Sequence, residues 1–269
     1  MRSIYSLVVL TFVLTACSSD SIKKQENVPV QVEQEIDIGI STSNLAIPDN
    51  RFTNNYQVLM FGNSHISGLE TLIQRLIKFS NPTAEVSVIN AGGGFLDNNS
   101  SQQRRVELLE GYSWTHIILQ GQKYSQSGAY DYPTAPTKTW ISKAKLLNVT
   151  PILFPEHPQK GNAKEGKRIH ELHMAISSKQ KSCIAPVGLT WDNVIMTEPK
   201  LDLHHADGNH ASLIGQLLTA FIFYEVITGQ TADLLPYVET IDVDESTQQL
   251  LKQIASATIQ SNTPCEFVE

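Results

Sequence analysis

The chain has 269 residues, with 20 Lys and Arg against 27 Asp and Glu, a formal net charge of -7 and a 41% hydrophobic share. These values exclude disorder, collagen and coiled coil, and they fit one large domain, or two small ones, around a sizeable core. Mild acidity and a 7% aromatic share provide no basic face for nucleic acid, so that partner class is set aside.

The chain opens on a targeting segment. Arg2 precedes an apolar run from Ile4 to Leu14 that ends in Leu14-Thr15-Ala16-Cys17. The run is short for a membrane-spanning helix, and it has the charged start, apolar middle and small-residue cleavage site of a secretory signal. It resembles a bacterial lipoprotein signal, whose order of Leu, small, small and Cys is met at each position. The resemblance implies cleavage after residue 16 and lipid attached to Cys17. Each buried acyl methylene contributes about 0.8 kcal/mol of membrane affinity, so several chains hold a protein firmly. Ser18 in the next place implies the outer membrane of the cell envelope, with the protein facing the periplasm. An ordinary cleaved signal is the alternative.

Residues 17–55 are polar, with no sustained hydrophobic period, and read as a lipidated Cys followed by a tether. The domain is expected over 56–262 and a tail over 263–269. Candidate strands lie at 57–61, 85–90, 116–120, 151–154 and 182–187. Between them, Leu69, Leu72, Ile73, Leu76 and Ile77 repeat at helical spacing, as do Val106, Leu108 and Leu109, and more weakly Ile141, Ala144, Lys145 and Leu147. Residues 211–228 read as a strongly apolar helix ended by Gly229, and 245–260 as a last helix. Near-continuous apolar strands separated by helices predict a three-layer, doubly wound α/β fold with a central parallel sheet of about five strands.

Ligands of such sheets bind outside the carboxyl ends of the strands, which directs attention to the residues that follow each one. The first strand is followed by Gly62-Asn63-Ser64-His65, the second by Asn90-Ala91-Gly92-Gly93-Gly94, and the third ends in Gln120-Gly121-Gln122. Asp207-Gly208-Asn209-His210 stands just before the apolar helix. A Ser needs a base to become a nucleophile, and a His base needs a partner that fixes its tautomer. An Asp three residues before a His lets one turn deliver both side chains to the same imidazole. The carbonyl oxygen gains charge in the tetrahedral intermediate and needs rigid donors, each typically contributing on the order of 3 kcal/mol. The Ser64 N–H, an N–H of the Gly turn and a side-chain amide are the candidates.

The order Ser, Gly, amide, Asp-x-x-His resembles the SGNH (GDSL-like) hydrolase superfamily over about Tyr56 to Gly229. More narrowly, Gly62-Asn63-Ser64 and Leu119-Gln120-Gly121-Gln122 resemble the bacterial branch that writes Gly-Asn-Ser in its first block and Leu-Gln-x-Gln in its third. The resemblance implies Ser64 as nucleophile, His210 as general base and then acid, and Asp207 as the orienting carboxylate. It implies an oxyanion hole from Ser64, Gly93 and Gln120, with Gly94 and Gln122 as alternatives. The family's Asp before the nucleophile is Asn63 here, and its third-block Asn is absent, so that role passes to Gln120 or Gln122. The expected activity is hydrolysis of a carboxylic ester, such as an O-acetyl group on carbohydrate, by a membrane-anchored serine esterase. It needs no metal or organic cofactor.

Two other function classes stand beside this one. A non-catalytic envelope- or carbohydrate-binding lipoprotein could keep the fold with a degraded oxyanion hole. A metal-dependent hydrolase could use His204, His205, Asp207 and His210, joined by Glu156 and His157, as ligands. Outside that role, His204, His205 and Glu156 read as rim contacts. His65 lines the pocket or begins a helix, Trp191 could wall the site, and Trp114 and Trp140 read as packing. Cys183 and Cys265 could pair and tie the tail to the domain, which the loop-entropy relation values at roughly 4 kcal/mol. One buried and one free thiol is the other possibility.

Overall fold

The computed structural model of the protein describes residues 44–267; the signal, Cys17 and the first part of the tether lie outside them. Five strands form one parallel sheet in the order β2-β1-β3-β4-β5. They are β1 (Asn55–Gly62), β2 (Glu85–Gly93), β3 (His116–Leu119), β4 (Thr150–Leu153) and β5 (Cys183–Ile184). The helices are α1 (Leu69–Ser80), α2 (Asn99–Gly111), α3 (Ala135–Leu146), α4 (Glu165–Lys179), α5 (Val187–Thr197), α6 (Leu213–Thr228) and α7 (Glu245–Ser261).

The two-residue period of a strand divides the core into two layers. Val58 and Met60 of β1 join Ile118 and Ile152 on one face, under α1, α5, α6 and α7. Leu59 and Phe61 join Ile117, Leu119 and Leu153 on the other, under α2, α3 and α4. All of these side chains are fully buried, and burying each stabilises the fold by about 1.5–3 kcal/mol. The expected three-layer α/β fold is therefore present. Helix α6 is apolar all round because other elements cover it on every side; Leu217, Phe221, Ile222 and Phe223 are fully buried.

Several boundaries differ from the sequence reading. Residues 44–55, expected to belong to the tether, pack on the domain: Ile47 is in the core, and the Asn50 amide donates to the carbonyls of Thr115 and Asn148 at 3.0 and 2.9 Å. The expected strand over 182–187 shrinks to Cys183–Ile184, because Pro186 caps α5 and turns the chain out of the sheet. Helix α5 and helix α4 were not anticipated. The tail is held down as well: Cys183 and Cys265 are bonded, the Ile184 N–H donates to the Pro264 carbonyl at 2.7 Å, and the Arg51 guanidinium lies 4.1 Å from the Phe267 ring centre.

The chain leaves β1 for β2 on one side and returns to β3 on the other. A crevice opens where strand order reverses in this way, at the carboxyl ends of β1 and β3. Gly62, Gln120 and Glu156 stand there, at or just after the ends of three neighbouring strands.

Candidate active site

A short 3-10 turn over Ser64–Ile66 follows β1, started by Asn63, whose Oδ1 accepts from the His65 N–H at 3.0 Å. This turn presents Ser64 at the surface, and its Oγ lies 2.8 Å from His210 Nε2. On the other side of the ring, His210 Nδ1 lies 2.6 Å from Asp207 Oδ2. Two segments far apart in the chain, the Ser64 turn and the 207–210 loop, thus place a hydroxyl, an imidazole and a carboxylate in line.

The loop that carries Asp207 and His210 is closed on itself. His205 N–H donates to the His210 carbonyl at 2.7 Å, Ser212 N–H donates to that of Leu203 at 2.8 Å, and His204 and Ala211 form an antiparallel bridge. Asp207 Oδ1 accepts from the backbone of Asn209 and of His210 at 2.8 and 2.9 Å. The backbone N–H of His210, then its ring, then the Asn209 N–H hold the Asp207 carboxyl well below the usual carboxylate range. Asp207 therefore stays ionised beside the ring, which keeps the Nδ1 proton in place and leaves Nε2 free to accept from Ser64. The loop after β4 braces this turn: His157 Nε2 donates to the Asn209 carbonyl at 2.9 Å and Lys160 N–H to that of Gly208 at 2.9 Å.

The donors expected for an oxyanion divide into engaged and free. Gly94 N–H donates to the Gly62 carbonyl at 2.9 Å, which removes it from that role. Gln122 is buried, its Oε1 accepting from Thr137 at 2.5 Å and its Nε2 donating to the Lys123 carbonyl at 2.8 Å. Gln120 is fully buried and turned inward: its Oε1 accepts from the Asn63 N–H at 2.6 Å, and its Nε2 donates to Glu156. Both ends of the Gln120 amide are thus committed behind the Asn63–Ser64 turn, and it is not free for the oxyanion role expected of it. Ser64 N–H has no acceptor among the described residues, and Gly93 stands across the ladder from Gly62. Arg105 fixes the Gly turn by donating to the carbonyls of Gly92, Gly94 and Phe95 at 2.8–2.9 Å.

His65 does more than begin a turn. Its ring stacks on His210 with centres 5.3 Å apart and lies edge-on to His157 at 5.0 Å. Burial, then the neighbouring His210, lowers its pKa to about 4. Trp191 is not a wall of the site but a buried layer beneath it, stacked on His157 at 4.0 Å and bonded to Thr219 Oγ1 at 3.0 Å. Trp114 and Trp140 donate to backbone carbonyls and pack away from the site. The histidines proposed as metal ligands face different partners: His204 Nε2 donates to the Pro158 carbonyl, His157 to that of Asn209, and His210 is taken by Ser64 and Asp207. Among the described residues, no three His, Cys, Asp or Glu side chains converge as a metal-binding group.

Glu156 is not a rim residue. It is buried at the end of β4, accepts from Gln120 Nε2 and from the Tyr124 hydroxyl at 3.3 Å, and lies 3.8 Å from His65 Nε2. A cavity of about 300 Å³ borders Tyr124 and is lined by Lys123, Tyr130, Asp131, Tyr132 and Arg168. A larger one, about 630 Å³, lies by Arg51, Glu225 and Gly229, beyond the far end of α6 from His210. Neither cavity is lined by Ser64, Asp207 or His210, and the smaller one approaches them through Tyr124, which bonds Glu156.

A parallel sheet in the order β2-β1-β3-β4-β5 flanked by helices is an SGNH-like α/β fold. Three solved structures share it. A DUF4886 family protein from Bacteroides uniformis superposes with a TM-score of 0.62 at 16% identity, over 80% of this chain and 98% of that one. A putative SGNH hydrolase from Slackia heliotrinireducens gives 0.50 at 21% identity, over 64% and 98%. An acetyl xylan esterase from Geobacillus stearothermophilus gives 0.53 at 14% identity, over 70% and 100%. No family model and no curated protein matches the chain.

Proposed function

We propose that the protein is a serine esterase that hydrolyses a carboxylic ester through Ser64, His210 and Asp207. The observation that carries this reading is the relay itself, 2.8 Å from Ser64 Oγ to His210 Nε2 and 2.6 Å from His210 Nδ1 to Asp207. His210 takes the Ser64 proton as Oγ attacks the acyl carbon, and Asp207 stabilises the imidazolium that forms. The oxyanion is received by the Ser64 N–H, with Gly93 as its partner. The alcohol leaves with the proton from His210, and water, activated by the same ring, releases the acid.

The substrate class we favour is an O-acetylated carbohydrate. The cavity beside Tyr124 combines the rings of Tyr130 and Tyr132 with Asp131 and Arg168, and aromatic faces beside charged hydrogen-bonding groups suit a sugar. The fold shared with an acetyl xylan esterase is consistent with that choice. The lipoprotein-like start supports a location at the cell envelope, with lipid on Cys17 and the enzyme facing the periplasm from the outer membrane.

The test is labelling with a fluorophosphonate probe, together with hydrolysis of 4-nitrophenyl esters of graded acyl length and of acetylated xylooligosaccharide. The wild type should label and should turn over acetyl esters fastest. Ser64→Ala should fold, fail to label and lose turnover. Turnover that survives Ser64→Ala would overturn the assignment.

A further inference from the structure

Glu156 is a buried carboxyl that the acyl-transfer cycle above does not use. Its surroundings tie it to the nucleophile through one side chain. The Asn63 N–H can only donate, so the Gln120 atom that meets it must be the carbonyl oxygen. The other end of that amide is then a donor, fully buried, and its acceptor is Glu156. The arrangement exists because residue 62 has no side chain: a Cβ there would lie 2.2 Å from Gln120 Oε1. Asn63 caps His65 with its side-chain oxygen. Tyr124 adds a second donor to the Glu156 carboxylate.

We propose that Glu156 is a positioning residue for the nucleophile: its carboxylate gathers the side-chain donors of Gln120 and Tyr124 beneath the Asn63–Ser64 turn, which Gln120 holds by the Asn63 backbone N–H, and so keeps Ser64 Oγ against His210. This rests on the esterase reading. The groups facing Glu156 are those two donors, His65 at 3.8 Å and Glu165 of α4. Burial pushes the carboxyl up to about 7, against the pull of its hydrogen-bond donors, Gln120 first, and Glu165 pushes it the same way as burial. Protonation removes an acceptor position and adds an O–H that must itself be satisfied, so only the ionised form accepts from both donors with no proton of its own to place. The turn is therefore held firmly above the pKa of Glu156 and loosened below it.

The experiment is steady-state hydrolysis of 4-nitrophenyl acetate from pH 5 to 9, with thermal melting as a check on folding. Glu156→Gln should lower kcat by about tenfold to a hundredfold, the cost typical of a misplaced reacting group, with KM little changed and the acid limb near pH 7 altered. Gln120→Glu should place two carboxyls face to face and lose more. The double variant, Gln120→Glu with Glu156→Gln, reverses the polarity of the pair and should recover part of that loss. Tyr124→Phe, at the edge of the network, should fold and move the acid limb to higher pH, because one donor to the carboxylate is gone. Wild-type kcat and pH profile in Glu156→Gln, no recovery in the double variant, or an unmoved limb in Tyr124→Phe would each overturn the proposal. Turnover independent of Ser64 would overturn the esterase reading and this one with it. Turnover dependent on Ser64 but indifferent to Glu156 overturns this one alone.

Discussion

The His65 imidazole lies nearly parallel to that of His210, with planes 21° apart and ring centres 5.3 Å apart. In the reaction proposed above His210 becomes a cation, and a second charge at this distance would oppose it. Burial and the His210 charge together keep His65 neutral down to about pH 4, which meets that need across the working range. Replacing His65 with Lys would set a fixed cation beside the imidazolium. At about 5 Å and an effective dielectric near 20, the repulsion is about 3 kcal/mol, which predicts a fall in kcat of about a hundredfold. His65→Phe keeps the ring without the charge and should stay within a few-fold of the wild type. Ester hydrolysis by the two variants checks this, and equal rates for Lys and Phe would show that the stack carries no electrostatic role.

Gly62 should be the least tolerant position of the nucleophile turn outside the triad. An added methyl would lie 2.2 Å from Gln120 Oε1 and 3.0 Å from both Gln120 Cβ and Ile66 Cγ2, three contacts from a packed interior. Gly62→Ala should therefore cost about 1–3 kcal/mol of stability and strip most of the activity by driving Gln120 off the Asn63 N–H. Removing the obstacle as well, with Gln120→Ala, should return part of the stability but not the activity. Urea unfolding and ester turnover, measured on the same samples, separate the two effects. A Gly62→Ala protein as active as the wild type would mean that Gln120 has room to retreat.

How far these features could be read from the sequence depends on whether their signal is local. The strands and helices around Ser64 were legible because Val58 to Phe61 and Leu69 to Ile77 carry their periods in the chain itself. Helix α5 was not, because Gly188, Thr190 and Asn193 break its apolar stripe, and its buried face is made by Trp191 with its indole on His157. The Ser, Asp and His stood out by order and spacing. The role of Glu156 did not, since it depends on which way a glutamine amide 36 residues earlier is turned. One signal was available: a lone acid between Phe154 and His157, in a run that is otherwise buried throughout. The early packing of residues 44–55 had no such marker, because Asn50 acts by bonding carbonyls from two distant loops.

Acid should destabilise the protein well before its carboxylates are neutralised. Burial lowers the pKa of His116 and His157 to about 3 and of His65 and His173 to about 4, against about 6.5 for an unfolded chain. Between those values the unfolded state binds more protons than the folded one, so each histidine removes stability as pH falls from about 6.5 toward its folded pKa. Three acids act oppositely: Glu156, raised to about 7, Asp192, raised to about 6, and Glu225, which burial also pushes up, add stability below their unfolded pKa values and lose it as pH rises. Burial lowers His170 as well, so five histidines stand against three acids and leave a net loss on acidification, one fully titrating group contributing about 1.4 kcal/mol per pH unit. The urea midpoint should therefore be lower at pH 5 than at pH 7. His173 is a suitable probe because it is buried in α4, away from the triad, and among the described residues its ring bonds only from Nδ1 to the Ile169 carbonyl, at 2.8 Å. His173→Leu should flatten the dependence between pH 4 and 6.5 without changing kcat, whereas an unchanged slope would mean that His173 is hydrated and titrates normally in the folded protein.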